Sequence, residues 1–285
     1  MKLTPQQVAA YQRDGTVLIP GAFAGWVDHL HTSVMAVIDG HRAGTIKSGD
    51  VRSVYQNPLN VVENFGGGVM ALNIAPHHAG FGDWLHNSPA AEMTAQAMQS
   101  KQARFWIDAT FLKEKYAAAE GTPWHNDTCT WPFWGKQMTI LWIALTDVDD
   151  DNGPLTTVRG THQGDGRYYS TFFPDTQTPP PPYRPWQDLM DQALAPNADI
   201  QTWTMKKGDC LFMHPSTIHG SKPRAATTGA PRMAFSTRWL GDDVVWKPDP
   251  LTERMTAQLN SLPEMIFNAP PPDSIIPVQW PRVAA

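Results

Sequence analysis

Met138-Thr139-Ile140-Leu141-Trp142-Ile143-Ala144-Leu145-Thr146 is apolar at nearly every position. A strand with one face in water alternates apolar and polar residues, so a run without alternation predicts a strand covered on both faces, as inside a sandwich. Two further stretches are β-prone, residues 104–113 (RFWIDATFLK) and residues 232–240 (RMAFSTRWL). Shorter strands are expected at residues 16–19, 155–158 and 210–214. Many short strands separated by Gly/Pro turns favour a sandwich or barrel.

Helices come first. Thr4 is placed to cap a helix running to Asp14, with Pro5 at its first position, Gln7 completing a capping box and Gly15 ending it. Val27, Leu30, Val34, Val37 and Ile38 recur near helical spacing within residues 26–38, and Ser88 caps a third helix, with Pro89 at its first position, running to about Met98. Residues 40–80, rich in Gly and His, carry no clear period. The fold class is therefore mainly β with flanking helices. We expect one domain over 1–285: a helical part to about 100, a β-rich core over about 101–245 and a proline-rich surface tail over about 246–285. Pro179, Pro180, Pro181 and Pro182 exclude an inner strand, so residues 173–185 read as a long surface loop, either a lid over a pocket or a plain linker. Residues 147–153 (DVDDDNG) read as a solvated acidic turn, without the ligand spacing of a calcium loop.

The formal charge of −5 and the lack of a basic run argue against nucleic acid as a partner. No apolar run approaches the roughly 20 residues that span a bilayer, and the N-terminus lacks the apolar core of a secretory signal. Cys129 and Cys210 make no disulfide framework, and a reduced cytoplasm is the expected location. Neither thiol is expected to be catalytic.

His125-Asn126-Asp127 carries the chemistry. On a strand, residues two apart share a face at ~6.6 Å separation, so His125 and Asp127 can reach one metal while Asn126 points away. Two histidines and a carboxylate are the facial ligand set of non-haem Fe(II), which leaves the remaining positions open. The third ligand must come from elsewhere, and His219, followed by Gly220-Ser221 after a bend at Pro215, is preferred to His214. On residues 232–240, alternation puts Arg232, Ala234, Ser236 and Arg238 on one face. A buried guanidinium needs a partner, which a dicarboxylate cosubstrate supplies through a bidentate pair; a protein salt bridge is the competing reading, and Arg238 the alternative anchor.

Pro123-Trp124-His125-Asn126-Asp127, Leu141-Trp142-Ile143-Ala144-Leu145, Asn152-Gly153-Pro154-Leu155, Gly160-Thr161-His162, Gly208-Asp209 and His219-Gly220-Ser221, in this order and rough spacing, resemble the phytanoyl-CoA dioxygenase family of Fe(II)/2-oxoglutarate oxygenases. The resemblance implies a double-stranded β-helix (jelly roll, cupin-like), iron at His125, Asp127 and His219, and 2-oxoglutarate and O2 as cosubstrates. It implies that Arg232, helped by Ser221, holds the far carboxylate of 2-oxoglutarate. It places Trp142 against the cosubstrate, with Thr139 contributing a hydroxyl, although these two face opposite ways on a regular strand. In halogenating relatives a small residue replaces the carboxylate, so Asp127 points to hydroxylation or a related oxidation. Trp131, Phe133 and Trp134, just past the metal motif, and Phe105 and Phe111 on the preceding strand are expected to wall a small, partly apolar substrate; a packed aromatic core is the competing reading. The expected function is hydroxylation of an unactivated C–H. The alternatives are a metal-dependent isomerase or epimerase on the same fold and a non-catalytic jelly-roll binding protein.

Overall fold

The structure is a computed structural model, and it describes residues 1–46, 60–65, 67–75, 78–114, 120–164, 167–169, 179, 181, 183–224, 230–247, 274–275 and 282–283. Most of the expected lid at 173–185 and most of the tail therefore lie outside the described residues.

In chain order the elements are α1 (Pro5–Asp14), β1 (Thr16–Ile19), α2 (Val27–Arg42), β2 (Asn60–Phe65), β3 (Gly68–Leu72), α3 (Ala79–Asn87), α4 (Ala90–Met98), β4 (Ala103–Lys113), β5 (Phe133–Trp134), β6 (Met138–Ala144) and β7 (Leu155–Val158). There follow β8 (Arg167–Tyr168), β9 (Tyr183–Arg184), α5 (Trp186–Ala193), β10 (Ile200–Trp203), β11 (Cys210–Met213), β12 (His219–Ser221), β13 (Arg232–Leu240), β14 (Val245–Trp246), β15 (Ser274–Ile275) and β16 (Arg282–Val283). The expected capping box forms: the Thr4 side chain accepts from Gln7 N, the Gln7 side chain accepts from Thr4 N, and Gly15 ends α1 at φ 76, a left-handed conformation that favours glycine. At α4, Ser88 Oγ accepts from Ala90 N as a cap should, while Pro89 stands one position before the helix begins.

The large sheet runs β1-β11-β6-β13-β4-β3-β2, with β16 pairing β4, and the small sheet runs β10-β7-β12. They are the two facing sheets of a jelly roll. The N-terminal part is less purely helical than expected, since β1, β2 and β3 all join the large sheet.

β6 explains the uninterrupted apolar run. Leu141 and Ile143 pack into one core with Leu30, Val34 and Ile38 of α2, Phe81 and Trp84 of α3 and Met93 of α4. Trp142 and Ala144 face the other way, into a cluster with Leu155, Trp203 and Leu211. β13 divides similarly: Met233, Phe235 and Trp239 join the helix-side core, while Arg232, Ser236 and Arg238 line a cavity between the sheets. Alternation along the strand thus survives even where both faces are covered.

β4 departs from this rule. Its register against β13 slips between Arg238, opposite Ile107, and Trp239, opposite Phe105. Such a bulge inserts one residue and reverses the facing of everything beyond it. Phe111 therefore lines the cavity, whereas Phe105 turns into the helix-side core against Trp239, with ring centroids 5.6 Å apart.

Candidate metal centre and cosubstrate cavity

His125 and His219 are brought together by backbone pairing. His125 N donates to His219 O at 2.9 Å and His219 N donates to His125 O at 2.8 Å, forming an isolated bridge beside β12. The regular strand expected through His125 and Asp127 does not form. Asn126 is extended (φ −124, ψ 153), and Asp127 opens a short 3-10 turn, Asp127–Thr130, with its N–H donating to Pro215 O at 2.9 Å. The chain needs the turn because it leaves the small sheet at this point, so a local bend, not strand alternation, aims the carboxylate.

The result is a cluster in which one ligand atom from each of His125, Asp127 and His219 lies within 4.8 Å of the others. Asp127 Oδ1 is 3.5 Å from His125 Nε2 and 3.7 Å from His219 Nε2. Each imidazole is oriented from behind: His125 Nδ1 lies 2.7 Å from Pro123 O, and His219 Nδ1 lies 2.9 Å from Thr217 O. A carbonyl at Nδ1 keeps the proton there and presents the Nε2 lone pair, the arrangement found behind metal-bound histidines. Burial, then the neighbouring His125, pushes His219 down to about 4, so it is neutral and able to ligate at neutral pH. Burial pushes the Asp127 carboxyl up, but the hydrogen bond to His125 and the nearby positive charge of Arg238 help to hold the group well below its ordinary value. The donor set and its convergence fit a divalent metal ion.

His214 is no ligand. Its Nε2 meets Lys136 O at 3.0 Å, its Nδ1 accepts from Ser216 N at 3.1 Å, and burial holds it down at about 3. Cys129 and Cys210 are both buried, Cys129 donating to Asn126 O at 3.0 Å. The acidic turn holds itself together, Asn152 Oδ1 accepting from Asp149 N and Asn152 Nδ2 donating to Asp147 O.

A cavity of about 410 Å³ opens beside the cluster, walled by the large sheet through Met70, Phe111, Ile140, Trp142 and Met213 and by the small sheet through Leu155, His219 and Gly220. Arg232 lies at one end, 5% exposed, with its guanidinium 5.5 Å from the Trp142 ring and Nη1 donating to Gly153 O. Burial, then Arg224, lowers it to about 10, still cationic at neutral pH. Arg238, the alternative anchor, instead sits 3.8 Å from Asp127 Oδ2, beside the metal cluster.

Other expected site residues lie elsewhere. Thr139 is fully buried on the opposite face of β6 from Trp142 and does not line the cavity. The Ser221 hydroxyl is engaged at the loop, donating to Thr122 Oγ1 at 3.0 Å and accepting from Thr122 N at 2.9 Å, and Ser221 is also outside the lining. Trp131 and Phe133 are core residues: both rings meet Trp106 edge-on at 4.8 Å, within a cluster that includes Met138 and Met213. Trp134 carries the Arg167 guanidinium 3.9 Å above its ring. That arginine donates to Thr128 O and Trp131 O, so these aromatics brace the Asp127 turn and do not wall the cavity. The packed-core alternative is the better account of Trp131, Phe133 and Phe105, and Phe111 alone of the five expected wall residues lines the cavity. Missed from sequence were Met70, Glu120 and above all Lys113, which alternation from Phe111 along β4 could have flagged.

A family model described as phytanoyl-CoA dioxygenase (PhyH) matches residues 11–234. The chain is 30% identical over 106 residues to peroxisomal phytanoyl-CoA dioxygenase of Mus musculus, covering 35% of this chain and 28% of that protein. It is 28% identical over 151 residues to the Rattus norvegicus protein, covering 50% of this chain and 39% of that one. The matches thus span well under two thirds of these relatives. Among solved structures, the fold is similar to SnoN, a non-haem α-ketoglutarate-dependent epimerase from nogalamycin biosynthesis (TM-score 0.65, 20% identity, 95% of this chain and 94% of that one). It is also similar to EctD from S. alaskensis with bound Fe (TM-score 0.62, 17% identity, 84% and 77%). Among the described residues no helix is long and apolar enough to cross a membrane.

Proposed function

Because the chain belongs to the phytanoyl-CoA dioxygenase family, we propose that it is an Fe(II)/2-oxoglutarate-dependent oxygenase that hydroxylates an unactivated C–H bond of a small, partly apolar organic molecule. The observation that carries this reading is the pairing of a His-Asp-His cluster with a buried arginine facing the same cavity. His125, Asp127 and His219 would hold the metal, with their Nδ1 carbonyl partners setting the tautomer. Bound iron, with 2-oxoglutarate and O2, supplies the oxidising chemistry, and the protein supplies position, orientation and exclusion of water.

Arg232 receives the far carboxylate of 2-oxoglutarate by a charge-assisted pair, and Trp142 flanks it. The apolar surface of Met70, Phe111, Ile140 and Met213 leaves room for a substrate held by shape and dispersion. Arg238 keeps the Asp127 carboxylate ionised and turned toward the imidazoles. No protein nucleophile or general base is needed, and both thiols are buried.

Anaerobic titration tests this. Iron-loaded protein should develop a weak visible charge-transfer band as 2-oxoglutarate is added, and its absence overturns the reading. Product mass then divides the chemistry: a gain of one oxygen atom supports hydroxylation. Unchanged mass with inverted stereochemistry would replace it by epimerisation, the activity of the similarly folded SnoN.

A further inference from the structure

We propose that Lys113 is a second cationic contact for the far carboxylate of 2-oxoglutarate, acting beside Arg232 and making the site selective for a dicarboxylate cosubstrate. This rests on the oxygenase reading above.

Lys113 closes β4 directly opposite Arg232 of β13 in the antiparallel register, and both line the cavity. Lys113 is 7% exposed, and its ammonium is enclosed, with no hydrogen-bond partner among the described residues. A buried lysine normally runs its stem along apolar surface and keeps its head in water. Here the head stays inside.

Gly153 lies beside both cations. Its carbonyl accepts from Arg232 Nη1, and a Cβ at its α-carbon would stand 3.2 Å from Lys113 Nζ. At φ +84 the position also favours glycine on backbone grounds. Arg224, 2% exposed, adds a third buried cation nearby, but its guanidinium is already committed to Glu114 O and Ala230 O.

Burying like charges together without an anion is costly, and the cost is relieved when a carboxylate arrives. Burial first, then Arg232 and Arg224, brings the Lys113 ammonium down to about 7, and among the described residues no carboxylate offsets them. An ionised carboxylate offers about four acceptor sites, enough for the two-pronged guanidinium and an ammonium together. A 2-oxo acid without a far carboxylate would leave both cations unanswered.

The test compares wild type with Lys113→Met and Lys113→Gln, each loaded anaerobically with Fe(II) and titrated with 2-oxoglutarate or with 2-oxobutyrate, which lacks the far carboxylate. The charge-transfer band reports binding, and iron stoichiometry and circular dichroism report the site and the fold. Both variants should bind 2-oxoglutarate at least ~10-fold more weakly, as expected for loss of one charge-assisted hydrogen bond, while 2-oxobutyrate affinity stays within about 2-fold. If Lys113→Met fails to fold, Lys113→Gln decides alone. Unchanged 2-oxoglutarate affinity, or equal loss for both acids, overturns the proposal while leaving the oxygenase reading intact. A wild type that gives no band with 2-oxoglutarate overturns both.

Discussion

The two faces of the large sheet are made from the same strands and do opposite things. The helix-side face presents Phe105, Leu141, Ile143, Phe235 and Trp239 to a continuous apolar core. The cavity face interleaves apolar residues with Lys113, Arg232 and Arg238. On the first face, burial supplies stability. On the second, buried charges cost stability, so a single strand such as β13 presents both kinds of surface at alternate positions.

Mutations separate the faces. The largest expected effect is at the metal cluster: Asp127→Ala or His219→Ala should abolish iron binding and turnover while leaving the far-ultraviolet circular dichroism unchanged, as checked by iron analysis. Next comes the helix side, where Trp239→Ala or Phe105→Ala should cost about 3–5 kcal/mol in urea unfolding, with the 2-oxoglutarate affinity of the folded fraction unchanged. A Phe105→Ala protein of normal stability but altered cosubstrate binding would mean that the β4 bulge is misplaced. Arg232→Met should weaken 2-oxoglutarate binding by about 30–100-fold in the charge-transfer titration, with iron still bound and unfolding free energy within about 1 kcal/mol of wild type.

A smaller effect appears with pH. Lys113 sits at about 7 when folded against an ordinary value of 10.5, with Arg232 and Arg224 beside it and Glu120 also lining the cavity. Between these values the unfolded chain binds more protons, so this group makes stability rise with pH across that window. Below about 7 the folded state bears the full cost of the buried charge. Lys113→Met should therefore flatten the difference in unfolding free energy between pH 7 and pH 9. The smallest effect is expected at Phe111→Ala, which should raise substrate KM by roughly 10-fold with little change in 2-oxoglutarate binding.

Some of this was legible without coordinates because it depends on local periods and local chemistry. The capping box at Thr4 and Gln7 formed as read, because its donors and acceptors lie within one helical turn. Arg232, Ser236 and Arg238 share a face because alternation is a property of a single strand. Asp127 and His125 reach one site as expected, yet by a 3-10 turn that the sequence alone does not announce. Phe105 and Phe111 have the same parity and were grouped together, and a bulge in the pairing with β13 sent them to opposite faces. Trp131 and Phe133 misled for another reason: nearness in sequence to the metal motif says nothing about which side of the turn a ring packs on.

The amino-acid sequence by itself determined the covered strand β6, the two ends of α1 and the family, since each depends on residue identity and short spacing. Only the tertiary structure decided that Lys113 stands opposite Arg232 on neighbouring strands, that Gly153 lies beside both charges, and that Arg238 approaches the Asp127 carboxylate. The first of these is set by register between strands more than a hundred residues apart, where hydrogen-bonded pairing, not any local preference, chooses which side chains meet.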